Sequence, residues 1–194
     1  MRAPAGWYAF EVPTPAVFLD RDDTLIACND LPPPPPPGAR GDLIDPALVR
    51  LLPGVREGCH RLRAAGFTLV VVSNQGSVAR GIATPRMVER VNDAVRLALG
   101  MADLPFYYCP FHPKGLVPCF TGEHAWRKPA GGMIHAAASE LGLELGRSWL
   151  IGDAPRDIEA GVAAGLALSR CLRTGPGELD FASACERILY DSAS

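Results

Sequence analysis

A short apolar run that ends abruptly at closely spaced carboxylates constrains this sequence more than any other feature. Residues 16–19 read AVFL, follow a proline, and are followed directly by Asp20 and Asp22. An apolar run of this length, bounded by proline and by charge, is typical of a buried strand in a parallel sheet. Ligands of open α/β sheets bind outside the carboxyl ends of the strands, so this acidic pair is expected in a binding crevice. Neighbouring carboxylates repel each other unless a cation or a shared proton relieves them, and hard oxygen ligands favour Mg²⁺.

Apolar runs and helical patterns alternate along the rest of the chain. Strands are predicted over residues 16–19, 67–72, 104–108, 149–151 and 166–172, and helices over 51–66, 84–99, 133–141, 158–164 and 182–189. This alternation predicts an α/β fold with a doubly wound, Rossmann-like parallel sheet in three layers. Because no repeat, break or large insertion interrupts the pattern, we expect a single domain over residues 1–194 without a separate cap domain. Short loops at 26–46, 76–84 and 110–126 would then shape the site.

The composition is that of a globular protein and argues against several classes of partner. The 194 residues are 48% apolar and 21% charged, with a formal net charge of −2. This balance gives no electrostatic basis for binding nucleic acid or a membrane surface. No apolar segment is long enough to span a bilayer, and the first 15 residues lack the basic-then-apolar pattern of a signal peptide. We therefore predict a cytoplasmic monomer whose six cysteines are thiols or metal ligands rather than disulfides.

Six consecutive prolines at positions 32–37 follow the first strand. Proline lacks a backbone donor and fixes φ, so we predict an extended polyproline segment in a surface loop. The segment is either an inserted spacer or a docking site for a proline-binding partner, and no other feature of the sequence supports a partner.

Three further motifs place polar side chains where later strands or their loops should open into the same crevice. Ser73 follows FTLVVV, Lys128 lies in RKP, and Asp153 and Asp157 lie in GDAPRD. With these four motifs in this order, the sequence resembles the haloacid dehalogenase (HAD) superfamily of phosphotransferases over almost its entire length. A lone D-x-D would have been a weak signal.

More narrowly, the sequence is similar to the histidinol-phosphatase and heptose-bisphosphate phosphatase subfamily. Its FLDRDDTL resembles that subfamily's FLDRDGTL, VVSNQGSVARG resembles VTNQSGIARG, YYCPFHPKG resembles YYCPHHPEG, and WRKPAGGM resembles CRKPxPGM. The loops are nearer to the heptose branch. The resemblance therefore implies a phosphoric monoester hydrolase of carbohydrate metabolism that acts on a small phosphate ester, D-glycero-D-manno-heptose 1,7-bisphosphate.

Phosphoryl transfer needs an in-line nucleophile and positive charge around the phosphoryl oxygens. Asp20 is the candidate nucleophile, which would form an aspartyl-phosphate. The resemblance makes Asp22 the general acid for the leaving oxygen and then the base for water. The Ser73 hydroxyl and the Lys128 ammonium group would hold the phosphoryl oxygens.

The remaining candidates would complete the metal and substrate sites. Asp153 would bind Mg²⁺ together with Asp20 and the backbone carbonyl of Asp22, and the metal would allow one anion to approach another. Asp157 either supports this site, by orienting Lys128 or the water molecules on the metal, or is an ordinary helix-start carboxylate. Asn74 and Arg127 are expected to reach the substrate or its phosphate. Arg80 is open between a substrate contact and a surface charge.

Two departures from the subfamily pattern stand near these motifs. Asp23 replaces a usual glycine after the acid-base residue, where it could disturb the loop or bind a second cation. The zinc motif of many relatives, Cys-x-His followed by Cys-x-Cys, is degenerate here. A substitute set of Cys109, His112, Cys119 and His124 would suit tetrahedral zinc, and the alternative is a metal-free loop whose cysteines pack as small apolar groups.

Three other functions stay open beside the heptose phosphatase. A histidinol-phosphate phosphatase fits the same motifs. A nucleic-acid 3′-phosphatase is disfavoured by the net charge of −2 and the absence of a basic run. An inactive fold that binds a partner through its prolines is disfavoured because Asp20, Asp22, Ser73, Lys128 and Asp153 are all present.

Overall fold

The computed structural model describes residues 13–192 and contains one five-stranded, all-parallel sheet. In chain order the strands are β1 (Ala16–Leu19), β2 (Thr68–Asn74), β3 (Phe106–Cys109), β4 (Trp149–Gly152) and β5 (Cys171–Arg173). Their spatial order is β3-β2-β1-β4-β5. The first strand therefore lies at the centre, and the chain winds outward from it in both directions, as the predicted doubly wound fold requires.

Successive side chains of β1 enter two different hydrophobic cores, because side chains alternate across a strand. Val17 and Leu19 belong to one core, and Ala16 and Phe18 belong to the other. All four residues of the strand are fully buried. This two-sided burial explains why the strand reads as a continuous apolar run rather than an alternating one.

The described residues form five α-helices, which cover the two faces of the sheet. They are α1 (Val55–Ala64), α2 (Pro85–Leu99), α3 (Gly132–Leu141), α4 (Pro155–Ala163) and α5 (Phe181–Ser192). The apolar sides of α1, α2 and α5 build the core that contains Val17, and those of α3 and α4 build the other. The three-layer prediction is thus confirmed. Among residues 13–192, no helix has the length and apolar character needed to cross a membrane.

Helix α2 shows how closely local chemistry sets an element's ends. The hydroxyl of Thr84 accepts a hydrogen bond from the Met87 amide at 3.2 Å, and Pro85 occupies the first turn, where its missing donor costs nothing. Gly100 ends the helix with φ of 71°, a left-handed conformation that favours glycine. The prediction of a helix over 84–99 is confirmed.

The helix predicted over 51–66 begins at Val55, the strand predicted over 104–108 lies at Phe106–Cys109, and two further predicted segments differ more from the structure. The predicted strand 166–172 begins only at Cys171, because Gly165 turns the chain with φ of 94° and residues Leu168–Arg170 form a short 3-10 helix. The proline run is on the surface, but it is not extended throughout. The Gly38 amide donates to the Pro35 carbonyl at 2.9 Å, which closes a turn.

Candidate active site

The turn after β1 sends four consecutive side chains to different places. Asp20 is buried at the end of the strand, and Arg21 is fully buried on the side of α2. Asp22 is partly exposed and lines a cavity, while Asp23 adopts φ of 57°. The Leu25 and Ile26 amides both donate to the Arg21 carbonyl, which fixes this turn. The acidic motif therefore forms a rigid platform at the carboxyl edge of the sheet.

Three carboxylates and one ammonium group converge where β1 and β4 end. One oxygen each of Asp20, Asp153 and Asp157 lies within 4.8 Å of the others. The Lys128 Nζ lies 2.5 Å from Asp20 Oδ1 and 2.7 Å from Asp157 Oδ1, and it donates to the Val72 carbonyl at 2.9 Å. A lysine ammonium group has three hydrogens, and hydrogen bonds to Asp20 and to the Val72 carbonyl use two of them, while Asp157 Oδ1 is a close ion-pair partner.

Negative charge exceeds positive charge in this cluster. Three carboxylates and one ammonium group leave a formal charge of −2. Burial raises the pKa of Asp20, the charges of Asp157 and Asp22 raise it further, and Lys128 opposes them. Burial and the charge of Asp157 also raise the pKa of Asp153. Burial alone would lower the pKa of Lys128, but attraction to Asp20 and Asp157 outweighs it and the pKa is raised.

The donor set of this cluster fits a divalent cation. Oδ1 of Asp153 is buried and has no hydrogen-bond partner among residues 13–192. A buried acceptor without a partner is costly, so such an atom points to an ion or a water molecule. Carboxylate oxygens are the ligands that Mg²⁺ prefers, and one divalent ion would cancel the formal charge of −2. Within the described part of the chain, no other group of His, Cys, Asp and Glu side chains offers three such atoms together.

Gly152 allows Asp157 to approach the end of β4. A β-carbon on Gly152 would lie 2.4 Å from the Asp157 Cβ, closer than two carbon atoms can pack. Asp157 Oδ2 accepts from the Ala154 amide at 2.9 Å and so caps α4, while its Oδ1 pairs with Lys128. Both interpretations of Asp157, a helix-start carboxylate and a partner of Lys128, therefore hold at once.

The Asp22 carboxylate is held by donors from three residues. Arg21 Nε donates to Oδ1 at 2.9 Å and Nη2 donates to Oδ2 at 3.2 Å. Gln75 Nε2 donates to Oδ2 at 2.8 Å, and the Cys28 thiol donates to Oδ1 at 3.3 Å. Asp22 is thus outside the acidic cluster and faces the cavity, while its predicted carbonyl contact with Mg²⁺ stays a prediction. Gln75 was not among the predicted site residues, although it directly follows the polar pair at the end of β2.

The two predicted substrate residues of β2 have partners within the protein. The Ser73 hydroxyl is buried and accepts from Gln75 Nε2 at 2.8 Å. The Asn74 side chain holds both backbone groups of Lys128, accepting from its amide at 2.9 Å and donating to its carbonyl at 3.0 Å. Asn74 therefore fixes the backbone of Lys128, and its contact with substrate stays a prediction.

A polar cavity of about 370 Å³ opens beside the acidic cluster. Its charged lining consists of Asp22, Asp23, Arg40, Asp42, Arg80, Arg127, Asp153 and Arg156. Residues from the predicted specificity loops 26–46 and 76–84 contribute to it, whereas none from 110–126 does. A larger cavity of about 640 Å³ lies along β3, but it is lined mainly by aromatic and proline side chains and contains none of the predicted site residues.

Arginines gather on one wall of the polar cavity. The guanidinium groups of Arg80 and Arg127 converge above Gly76, where a β-carbon would lie 3.1 Å from Arg80 Nη1 and 3.5 Å from Arg127 Nη1. Burial lowers the pKa of Arg127, and the positive charges of Arg156 and Arg80 lower it further. Arg80 is paired with Asp42 at 2.5 Å. Arg127 and Arg156, which also line the cavity, have no ion-pair partner among residues 13–192, so these two guanidinium groups can bind an anion.

The four candidate zinc ligands are not brought together. Phe111 stacks on His124 with ring centroids 4.3 Å apart, and the Trp126 amide donates to His124 Nδ1. His112 Nδ1 accepts from the Lys114 amide, Cys109 is buried, and Cys119 is exposed. Aromatic packing and backbone hydrogen bonds hold this loop, so the structure gives no support for the zinc prediction.

Asp23 occupies a left-handed position where the related motif has glycine. Its Oδ1 accepts from the amides of Cys28 and Asn29, both at 2.9 Å, which offsets the strain of φ at 57°. Replacement of Asp23 by Ala should therefore lower the free energy of unfolding by about 1–3 kcal/mol, because it keeps the strain and leaves two amides without their acceptor. Urea denaturation measures this change. Asp23→Asn is the control that keeps an acceptor oxygen, and equal losses in both variants would contradict this explanation.

This fold and its acidic site are those of a HAD-like hydrolase. The HAD-hydrolase-like family model matches residues 125–175, which contain Lys128 and Asp153. The structure of D,D-heptose 1,7-bisphosphate phosphatase from B. bronchiseptica, complexed with magnesium and phosphate, superposes with a TM-score of 0.72 at 25% identity. The match covers 91% of this chain and 99% of that one.

Curated relatives narrow the assignment. The D-glycero-beta-D-manno-heptose-1,7-bisphosphate 7-phosphatase of Escherichia coli is 33% identical over 164 residues, covering 83% of this chain and 80% of the relative. The enzyme of the same name from Mesorhizobium japonicum is 34% identical over 166 residues, covering 84% and 71%. The chain therefore belongs to the HAD-like phosphatase family that includes these heptose-bisphosphate phosphatases. The predictions of this family and of a phosphoric monoester hydrolase are confirmed.

Proposed function

We propose that this chain is a Mg²⁺-dependent phosphatase that removes one phosphate from D-glycero-D-manno-heptose 1,7-bisphosphate. The observation that carries the proposal is the convergence of Asp20, Asp153 and Asp157 with Lys128 at the carboxyl edge of the sheet. This cluster adjoins a cavity whose wall is rich in arginine. A carboxylate nucleophile, a cation site and an anion-binding wall are the parts that hydrolysis of a sugar bisphosphate needs.

The chemistry divides into two displacements at phosphorus. A carboxylate oxygen of Asp20 attacks the phosphorus in line, and the bond to the ester oxygen breaks as the aspartyl-phosphate forms. Asp22 gives its proton to the departing sugar oxygen. Water then attacks the phosphorus of the aspartyl-phosphate, Asp22 takes the proton from this water, and phosphate leaves with the Asp20 carboxylate restored. No proton is gained or lost by the protein over the cycle.

Asp20 and Asp153 would hold the metal ion, with Asp157 supporting both through Lys128 and the cap of α4. Mg²⁺ would neutralise the anionic charge that otherwise keeps a carboxylate away from a phosphate. Two hydrogen bonds, to Asp20 and to the Val72 carbonyl, and an ion pair with Asp157 already engage Lys128, so a phosphoryl oxygen that binds Lys128 would compete with these partners. The Ser73 hydroxyl would bind another phosphoryl oxygen.

A panel of phosphate esters tests the proposal directly. The purified full-length protein is assayed for phosphate release from the heptose 1,7-bisphosphate, histidinol phosphate, fructose 1,6-bisphosphate and a 3′-phosphorylated oligonucleotide, with Mg²⁺ and with EDTA. We expect the highest kcat/KM for the heptose bisphosphate and no release in EDTA. Preference for histidinol phosphate or for the oligonucleotide would replace the proposed substrate.

The arginine wall is proposed to bind the phosphate that is not hydrolysed. Arg127→Ala should then lower kcat/KM for the heptose 1,7-bisphosphate by about 10- to 100-fold, which is the change expected when one hydrogen bond to a charged group is lost. The loss should be small for the heptose 7-phosphate, which lacks the second phosphate. Steady-state kinetics on both substrates measure the difference, and Arg147→Ala, an exposed arginine paired with Glu144, is the matched control. Equal losses on both substrates would show that Arg127 does not bind the second phosphate.

We also propose that the protein acts as a cytoplasmic monomer with one domain and a small-molecule partner. The continuous sheet, whose two cores both contain residues of β1, supports the single domain, and the formal net charge of −2 favours a small-molecule partner over nucleic acid or a membrane surface.

A further inference from the structure

Asn92 is a buried polar residue on the apolar side of α2. Its neighbours on that side, Val88, Val91, Val95 and Leu99, are all buried hydrophobics. The side chain of Asn92 is 1% exposed, and its Nδ2 has no hydrogen-bond partner among residues 13–192. A buried donor without a partner costs about 1–3 kcal/mol. Packing alone would therefore favour an apolar residue at this position. The presence of Asn92 must be explained by the partner of its side-chain oxygen.

The oxygen of Asn92 has one partner, and that partner holds Asp22. Arg21 Nη1 donates to Asn92 Oδ1 at 2.9 Å. The Nε and Nη2 of Arg21 donate to the two oxygens of Asp22. Arg21 is fully buried, and Asp22 is its ion-pair partner within the described residues. The guanidinium group is planar and rigid, so fixing Nη1 also fixes the orientation of the other two nitrogens.

Strand geometry explains why Arg21, which links Asn92 to Asp22, lies directly after the proposed nucleophile Asp20. Side chains alternate at the end of β1, so Asp20 enters the acidic cluster while Arg21 turns toward α2. The guanidinium group then reaches back to Asp22, whose carboxylate faces the cavity.

We infer that Asn92 is a positioning residue for the acid-base step, because it holds Arg21 and thereby aims the Asp22 carboxylate at the leaving oxygen. This inference rests on the proposed function, in which Asp22 protonates that oxygen. Asn92 touches neither substrate nor the acidic cluster. Its effect on the reaction passes through the guanidinium group of Arg21.

The test compares a poor leaving group with a good one. The sugar oxygen of the heptose 1,7-bisphosphate needs a proton to depart, whereas p-nitrophenol departs readily as an anion. The parameter kcat/KM includes steps only up to departure of the leaving group, so the later attack of water does not enter it. Asn92→Ala should lower kcat/KM by about 10-fold or more on the heptose bisphosphate and by less than about 3-fold on p-nitrophenyl phosphate.

Rescue and control variants separate positioning from general damage. Asn92→Asp keeps an acceptor oxygen for Arg21, replaces the unpartnered Nδ2 by a second oxygen and adds a negative charge that Arg21 can pair with, so it should restore most of the lost rate on the heptose bisphosphate. Asp93→Asn, on the same helix but exposed and paired with Arg96, should leave both substrates unchanged. If Asn92→Ala does not fold, Asn92→Ser is judged by the same ratio of the two substrates.

The outcomes distinguish this inference from the proposed function. Equal losses on the two substrates, or no loss on either, would overturn the role of Asn92. Asp22→Asn serves as the reference, with an expected loss of about 10²- to 10⁴-fold on the heptose bisphosphate and a much smaller one on p-nitrophenyl phosphate. If Asp22→Asn itself shows no such difference, the acid role of Asp22 fails. If Asp22→Asn shows it and Asn92→Ala does not, only the positioning role fails.

Discussion

Replacement of Asp20 by Asn is expected to reduce phosphate release from the heptose 1,7-bisphosphate by roughly 10⁴-fold or more. A carboxamide cannot attack phosphorus as a carboxylate does, and loss of a covalent nucleophile costs about this much in other enzymes. The variant should fold, because the new side chain has nearly the same shape and Lys128 keeps Asp157 and the Val72 carbonyl as partners. Phosphate release in Mg²⁺ measures the activity, and circular dichroism checks the fold.

Asp153→Asn is the informative comparison for the nucleophile. This variant removes one oxygen donor from the cluster but leaves Asp20 in place, so more Mg²⁺ should recover part of its activity. The Asp20 variant should stay inactive at every Mg²⁺ concentration. Asp103→Asn, at a mostly exposed carboxylate paired with Arg63, should behave as the unmodified protein does. Recovery of the Asp20 variant by Mg²⁺ would show that Asp20 is a metal ligand only.

The sequence is sufficient to predict the sheet and the positions of the main charged groups. A buried parallel strand needs an apolar side chain at every position, so β1 and β4 are visible as uninterrupted runs. In a parallel sheet every strand ends at the same edge, so Asp20 and Asp153 had to come close together once the strands were recognised. Lys128 follows no strand of its own, so its placement at this edge came from the resemblance, and its ion pair with Asp20 was not predicted.

Contacts that depend on which way a side chain turns could not be predicted. Gln75 bridges Asp22 and Ser73, and Asn74 binds the Lys128 backbone. The identities of residues 73–75 do not show which of them will contact Asp22 and which will contact Lys128, because these partners come from distant parts of the chain. The start of β5 was missed for a related reason. An apolar residue such as Leu166 can be buried outside a strand, and periodicity does not separate the two cases in a short run.

In the loop at 110–126, residue spacing that would allow a zinc site coincides with aromatic packing against one of the candidate ligands. Cysteine and histidine at suitable spacings allow a zinc site, but the spacing does not reveal that Phe111 competes for the His124 ring. Phe111 stacks on the His124 ring with the ring planes 6° apart, and it also contacts Phe120 edge-on.

Replacement of Lys128 by Met should strongly lower the free energy of unfolding and should also impair catalysis. The Lys128 side chain is 2% exposed, and its ammonium group is the positive charge among the three clustered carboxylates. Removing one member of a buried ion pair costs about 3–5 kcal/mol, because the remaining charge stays buried without compensation. We expect a loss of this size in the free energy of unfolding, measured by urea denaturation in EDTA, together with loss of phosphate release.

The effect of Mg²⁺ on stability should then show whether the loss in the Lys128 variant comes from the missing charge or from the change in side-chain volume. Without Lys128 the three carboxylates carry a formal charge of −3 rather than −2, so Mg²⁺ should stabilise the variant more than it stabilises the unmodified protein. Methionine fills a similar volume, which leaves charge as the main difference. The chain contains only two lysines, and Lys114→Met, at the exposed one, is the matched control with little expected effect on stability. Equal Mg²⁺ effects in the Lys128 variant and the unmodified protein would mean that the ammonium group does not balance the charge of a cation-binding cluster.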